Sequence, residues 1–343
     1  CADFGSSFPG EYNKDYTYPT DQDLEYWHKK GLKLIRLPFK WERLQLDLKG
    51  PLNQHDLNKM KELVRAAEKR DMVVLLDLHN YCRRYMNNEH TLIGSNGLTI
   101  EDLASFWQAI AKEFSTFKNI YGYGLMNEPH DLAPGTNWFD MAQASINAIR
   151  QVDTNTLIMV GGNDWSSAER WIEQSDTLKF LKDPANNLAF EAHVYFDKDA
   201  SGTYKYSYEE EGCYPEKGID RVKPFVEWIK QNNFHGFIGE YGIPDNDPRW
   251  NETLDLFLHY LQENGINGTY WAAGPWWDTY FMAITPKGTL FWPIFNPFGR
   301  SFMEITSPTG SSTFYSFFVQ PVFLLKKTGG QEVPRIYQKA TYG

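Results

Sequence analysis

The segment "TIEDLASFWQAIAKEFSTFKNIYGYGLMNEPH" (residues 99–130) decides how the rest of the chain is read. It opens with Thr99 and carries Asp102 three residues on, close to a capping box. An apolar pattern of helical period follows, which predicts a helix over 99–114. Ile120, Tyr121, Tyr123, Leu125 and Met126 then read as a buried strand, and the strand ends in Asn127-Glu128-Pro129-His130. A core strand gains nothing from an amide, a carboxylate and an imidazole at its last residues. A functional site at a strand end does.

The same unit recurs along the chain. Strands are predicted at 32–39, 72–80, 156–162, 188–195, 236–242 and 265–274, with helices at 55–70, 137–152, 217–232 and 250–264. "MVVLLDLHN" (72–80) is a continuous apolar run, as buried parallel strands are. Strictly alternating strands and helices imply a parallel sheet. The chain opens at "CADFGSS", which reads as the end of a first strand, with a leader and part of that strand expected before it. Counting it gives eight units and an α/β fold, a single (β/α)₈ TIM barrel over residues 1–284. The runner-up is a doubly wound open sheet, but G-x-G-x-x-G and the P-loop pattern are both absent. Residues 285–343 lack an amphipathic helix and are rich in Phe, Ser, Thr and Pro. They are expected to form an atypical extension, packed on the barrel or partly disordered.

Composition narrows the function. A net charge of −10 argues against nucleic-acid or anionic-membrane partners, and no apolar run reaches transmembrane length. Aromatic residues make up 16%, including 12 Trp, and flat rings suit stacking on sugar faces. The three cysteines, Cys1, Cys82 and Cys213, rule out a complete disulfide framework. Cys82 and Cys213 form a candidate pair that sequence alone does not place within bonding range.

In such a barrel, functional residues sit where strands meet the following loops. Those positions hold Arg36, His79 and Asn80, Asn127 and Glu128, Trp165, His193 and Tyr195, Glu240, and Trp271. Two carboxylates at the ends of buried strands are costly to hold without a use. As a facing pair they suggest glycoside hydrolysis, in which one carboxyl donates a proton while the other stays ionised. Arg36 and Tyr195 would favour a charged Glu240, which makes it the candidate nucleophile. Glu128, with no cation in its own strand end, is the candidate acid/base. Asn127 is placed to bond a sugar 2-hydroxyl, and Trp271 to stack under a ring.

These residues resemble glycoside hydrolase family 5, the cellulase-type (β/α)₈ hydrolases. The match rests on "LIRLPF", "LDLHNY", "GLMNEPH", "EAHVYFDKDASGTY", "GFIGEYG" and "GTYWAAGPWW", in order, over roughly residues 1–284. The resemblance implies a retaining double displacement by Glu240 and Glu128. It implies no metal or cofactor, a β-1,4-linked glucan as substrate with mannan second, and a secreted, monomeric enzyme. His79 and His193 would line the cleavage subsite, and Trp165, Trp276 and Trp277 would bind further glucose units. The chain departs from the family in its short first strand, in "DTYFMAITPKG" after "GPWW", and in its tail. Two other readings compete. A metal-dependent hydrolase would want a motif such as H-E-x-x-H, which is absent. A barrel that binds glycans without cutting them would need a defect elsewhere, since both glutamates are present.

Overall fold

A computed structural model describes residues 5, 7–277 and 279–284, together with the backbone of residues 305–306 and 312–313. Among the described residues nine strands precede residue 271: β1 (Leu34–Phe39), β2 (Val73–Leu78), β3 (Arg83–Met86), β4 (Glu89–Leu92), β5 (Ile120–Gly124), β6 (Leu157–Gly161), β7 (Leu188–His193), β8 (His235–Tyr241) and β9 (Asn267–Tyr270). Seven of them form one parallel sheet in the order β1-β2-β5-β6-β7-β8-β9, with helices between successive strands. The sheet curls into a nearly closed barrel, and the alternating pattern is borne out. The expected first strand falls largely on residues 1–4, outside the described residues, as does most of the expected extension. Only an antiparallel pair, Ile305–Thr306 with Ser312–Thr313, is described there.

Among the described residues no strand lies between β1 and β9. A cavity of about 700 Å³ occupies that seam, lined by Leu34, Ile35, Leu37, Asn267, Thr269 and Ile284, among others. Pro38, next to last in β1, suits this position, because proline is confined to edge strands and strand ends.

The helices form for local reasons. Thr99 caps the helix Ile100–Phe114: its hydroxyl accepts from the Asp102 N–H, and the Asp102 carboxylate accepts from the Thr99 N–H. Leu103, Phe106, Trp107, Ile110 and Phe114 are buried along one face. The Trp107 indole donates to the Leu125 carbonyl just past β5, which ties the helix to the strand that leads to Glu128. A second capping box, Thr20 with Asp23, starts a helix at Asp21–Lys29 that the sequence reading lacked. The β3–β4 hairpin was also missed. Its signal was Asn87-Asn88, both in the left-handed region that two-residue hairpin loops require.

Inside the barrel the strands deposit residues in layers, as period-2 alternation dictates. The lowest layer is apolar: Leu75, Met159, Ala189 and Phe237, with Leu34, Tyr121 and Leu157 against them. Two residues further along the strands the layer becomes charged, with Arg36, Asp77 and Glu191. Two further still come His79 and His193. The apolar floor shields the charged layer from solvent at that end of the barrel.

Candidate active site

Arg36 on β1 is the hub, with its side chain 3% exposed. Its guanidinium lies 3.2 Å from Asp77, 2.9 Å from Glu191 and 3.0 Å from Glu240, and donates to the Asn127 side-chain oxygen at 2.5 Å. Burying this cation works because three carboxylates and the Asn127 amide surround it, with Nη1 and Nη2 hydrogen-bonded and Nε held by charge beside Glu191 rather than by an aligned hydrogen bond.

Two strands carry the same device, an acid and a histidine two residues apart. On β2 the Asp77 carboxylate lies 2.7 Å from His79 Nδ1. On β7 the Glu191 carboxylate lies 3.2 Å from His193 Nε2. His193 Nδ1 in turn lies 2.7 Å from Glu128 and 3.7 Å from Glu240. Period-2 alternation puts each acid and its ring on one face, and that spacing was the signal by which Asp77 and Glu191 could have been found.

Strict alternation from Phe237 would carry Glu240 to the outer face. The β7–β8 register avoids this: Ala192 pairs with Ile238 and His193 with Glu240, so Gly239 has no partner. This single-residue bulge turns Glu240 inward. A Cβ at position 239 would stand 1.9 Å from Glu191 Oε1, so glycine is also what makes room for that carboxylate. Glu128 reaches the same space from the loop after β5. Its backbone has φ of 44°, a left-handed conformation that few non-glycine residues adopt and that collects at functional sites.

The result is a compact constellation. One atom each of Glu128, His193 and Glu240 lie within 4.8 Å of one another. Both Glu240 oxygens are engaged, one by Arg36 at 3.0 Å and the other by the Tyr195 hydroxyl at 2.8 Å. The three side chains are close enough to ligate a cation, and Arg36 and Tyr195 each take one lone pair of Glu240, leaving a further lone pair on each oxygen.

Burial and charge set the protonation states. Burial pushes Glu240 up to about 7, against the pull of His193 and Arg36. The sequence reading had Arg36 and Tyr195 favouring the charged form; both make that contact, and desolvation outweighs them. Burial likewise raises Asp77 to about 7. Glu191 lies below the usual range, because Arg36 and His193 together outweigh its burial. Burial alone would lower His193, but Glu240, Glu128 and Glu191 lift it to about 10, so it is an imidazolium at neutral pH. Glu128 therefore has a cation beside it, although its own strand end holds none. The cation comes from β7, and a reading of its own strand end misses it.

The remaining candidates divide. His79 stacks on Trp271, with centroids 5.5 Å apart and planes within 6°, while the Asn127 amide nitrogen lies 3.3 Å from His79 Nε2. Trp277 meets Trp271 edge-on. Trp276 and Trp165 are 46% and 44% exposed, as platforms must be. Trp165 stacks on His130 at 4.5 Å. Asn80 is the exception. It is buried, its oxygen accepts from the Trp41 N–H, and its amide donates to Glu42 and the Arg83 carbonyl. These bonds tie the end of β2 to the helix after β1. Cys82 and Cys213 are both free thiols.

Known proteins resemble this chain in sequence and fold. The model of the Cellulase (glycosyl hydrolase family 5) family matches residues 3–276. Endo-beta-1,4-glucanase B of Emericella nidulans is 33% identical over 291 residues, 83% of this chain and 84% of its own length. The crystal structure of Pseudomonas stutzeri endoglucanase Cel5A in complex with cellobiose is 39% identical with a TM-score of 0.79, covering 85% of this chain and 87% of that one. XacCel5A in complex with cellopentaose is 38% identical with a TM-score of 0.77, covering 83% and 91%.

Proposed function

The chain belongs to glycosyl hydrolase family 5, and on that premise we propose that it cuts β-1,4-glucans internally by a retaining double displacement through Glu240 and Glu128. The enzyme is a glycoside hydrolase, an endo-β-1,4-glucanase. The roles of the individual residues rest on the constellation of Glu128, His193 and Glu240 within 4.8 Å, and that closeness carries the reading. Retaining enzymes hold their carboxyl groups about 5–5.5 Å apart, because the nucleophile itself must reach the sugar; inverting ones need about 6.5–9.5 Å to admit water.

Glu240 suits the nucleophile. Arg36 and Tyr195 fix both its oxygens, its side chain is only 6% exposed, and its ionised form, dominant above about pH 7, is the one that attacks. Glu128 suits the acid/base, which must trade protons with water. Its side chain is 17% exposed, and His193 orients one of its oxygens. In the first step Glu128 protonates the leaving oxygen as Glu240 attacks the anomeric carbon. In the second, Glu128 takes a proton from water, which attacks the same carbon and frees Glu240. Trp271 would lie under the sugar beside this centre, and Trp165, Trp276 and Trp277 would carry neighbouring glucose units by stacking.

The substrate is a β-1,4-glucan, in line with the names of the relatives and the cellobiose and cellopentaose held by the neighbouring structures. No helix among the described residues is long and apolar enough to cross a membrane. A polymer outside the cell calls for a secreted enzyme. Hydrolysis of carboxymethylcellulose should lose about 10²–10⁴-fold in rate in Glu128→Gln, and at least as much in Glu240→Gln, with the fold retained. Wild-type product should keep the β configuration by NMR; an inverted product would sink the double displacement. Faster cutting of glucomannan than of carboxymethylcellulose or barley glucan would overturn the glucan preference.

A further inference from the structure

We propose that Glu191 is a positioning residue of this reaction, holding the His193 ring through Nε2 so that Nδ1 presents a proton and a positive charge to Glu128 and Glu240. This rests on the roles given to those two glutamates above. Glu191 touches neither the cleft nor the reacting atoms. It is buried, and its partners are His193 at 3.2 Å and Arg36 at 2.9 Å.

Three observations converge. The first is the orientation of His193. The ring has two nitrogens and both meet carboxylates, Nδ1 at 2.7 Å from Glu128 and Nε2 at 3.2 Å from Glu191. Only the doubly protonated ring donates at both ends. Without the Glu191 charge, the imidazolium would depend on Glu240 and Glu128 alone, and it would tend to its neutral form whenever those two are protonated or esterified.

The second is the room made for the carboxylate. Gly239 is the bulged residue that turns Glu240 inward, and a side chain there would collide with Glu191 Oε1. One glycine thus sets the nucleophile and seats the group that holds the histidine. The third is the set of charges around the ring. His193 faces Glu128 from the loop after β5, Glu240 from β8 and Glu191 on its own strand, with Arg36 of β1 and Asp77 of β2 interacting through the barrel. Glu128 and Glu240 change charge during the proposed cycle, as one is protonated and the other esterified. Glu191 alone of the three exchanges nothing, so it supplies the constant negative charge that keeps the imidazolium through both steps. No proton leaves Glu191 and no bond forms to it.

The test compares Glu191→Gln and Glu191→Asp on carboxymethylcellulose across pH, together with a ¹⁵N-histidine NMR titration. Gln keeps an acceptor but loses the charge. It should leave KM nearly unchanged, lower kcat at neutral pH roughly tenfold, a fraction of what acid–base assistance is worth, and move the alkaline limb of kcat/KM down by about 1–3 pH units. Asp keeps the charge at a longer reach, so it should lose kcat while holding the limb near that of the wild type. In a His193→Gln background, Glu191→Gln should add much less loss than in the wild type, limited to what it does through Arg36. A wild-type limb and kcat in Glu191→Gln would overturn the proposal, as would an undiminished effect in the absence of His193. If Glu191→Gln does not fold, Glu191→Asp decides the matter, and wild-type kcat there overturns it. The NMR titration needs no turnover. A wild-type His193 ring that is neutral at pH 8 refutes the positioning role, whereas a protein that cuts no glucan but keeps a charged His193 refutes the functional reading alone.

Discussion

β7 and β1 both carry charge into the barrel, but under different conditions. β7 is paired on both sides, with β6 and β8, so backbone hydrogen bonds fix where Glu191 and His193 point. Among the described residues β1 is paired only with β2, and its other edge faces the cavity toward β9. Yet Arg36 on β1 is as deeply buried as His193 on β7. On the closed side the sheet holds the charges. On the open side the charges help to hold the sheet, because Arg36 reaches across the barrel to Glu191 on β7 and Glu240 on β8.

The sharpest way to break this contrast is Arg36→Met. It leaves Asp77, Glu191 and Glu240 without their shared cation, and breaking a buried pair from one side costs about 3–5 kcal/mol. Urea unfolding should show a loss of that order, and carboxymethylcellulose hydrolysis should fall with it. Unchanged stability would mean that β1 is held by its pairing with β2 alone.

A second comparison uses apolar deletions of one chemical kind. Ile158 on β6 is fully buried within the closed side, so Ile158→Ala should cost about 2–5 kcal/mol. Ile35 on β1 lines the cavity and already lacks part of its packing. Ile35→Ala should therefore cost clearly less in the same urea titration. Equal costs would mean that the cavity does not weaken the seam.

The smallest effect is a slope with pH. His193 rises from an ordinary 6.5 to about 10 on folding. A raised value in the folded state adds stability that is fully present below pH 6.5 and is lost as pH climbs toward 10. The slope is at most about 1.4 kcal/mol per pH unit for one proton. Thermal unfolding in this window should shift down with pH, and His193→Gln should flatten the slope.

What the sequence made legible was local. The Thr99–Asp102 cap and the alternation of strand and helix depend on neighbours within a few residues, and they appear where expected. Glu128 and Glu240 stood out because a carboxylate at the end of an apolar strand is conspicuous. What stayed hidden depends on register. The bulge at Gly239 exists only in the pairing of β8 with β7, so neither the reason for that glycine nor the seat of Glu191 shows in the string. The cation beside Glu128 arrives from a strand 65 residues away. Asn80 shows the complementary limit: a polar residue at a strand end looks like a ligand in the string, and only the fold shows that it also bonds Trp41, Glu42 and Arg83.

The depth of the Arg36 network also bears on the solutions in which the enzyme can work. Mobile ions screen exposed charges over a Debye length of about 8 Å at physiological ionic strength, and buried pairs far less. Arg70 with Asp21 and Arg249 with Glu209 lie at the surface, within reach of added salt. Arg36, Asp77, Glu191 and His193 sit above an apolar floor where such ions do not enter. The substrate carries no charge, so there is no electrostatic steering for salt to suppress. Brine would loosen the periphery of this molecule and leave its chemistry intact.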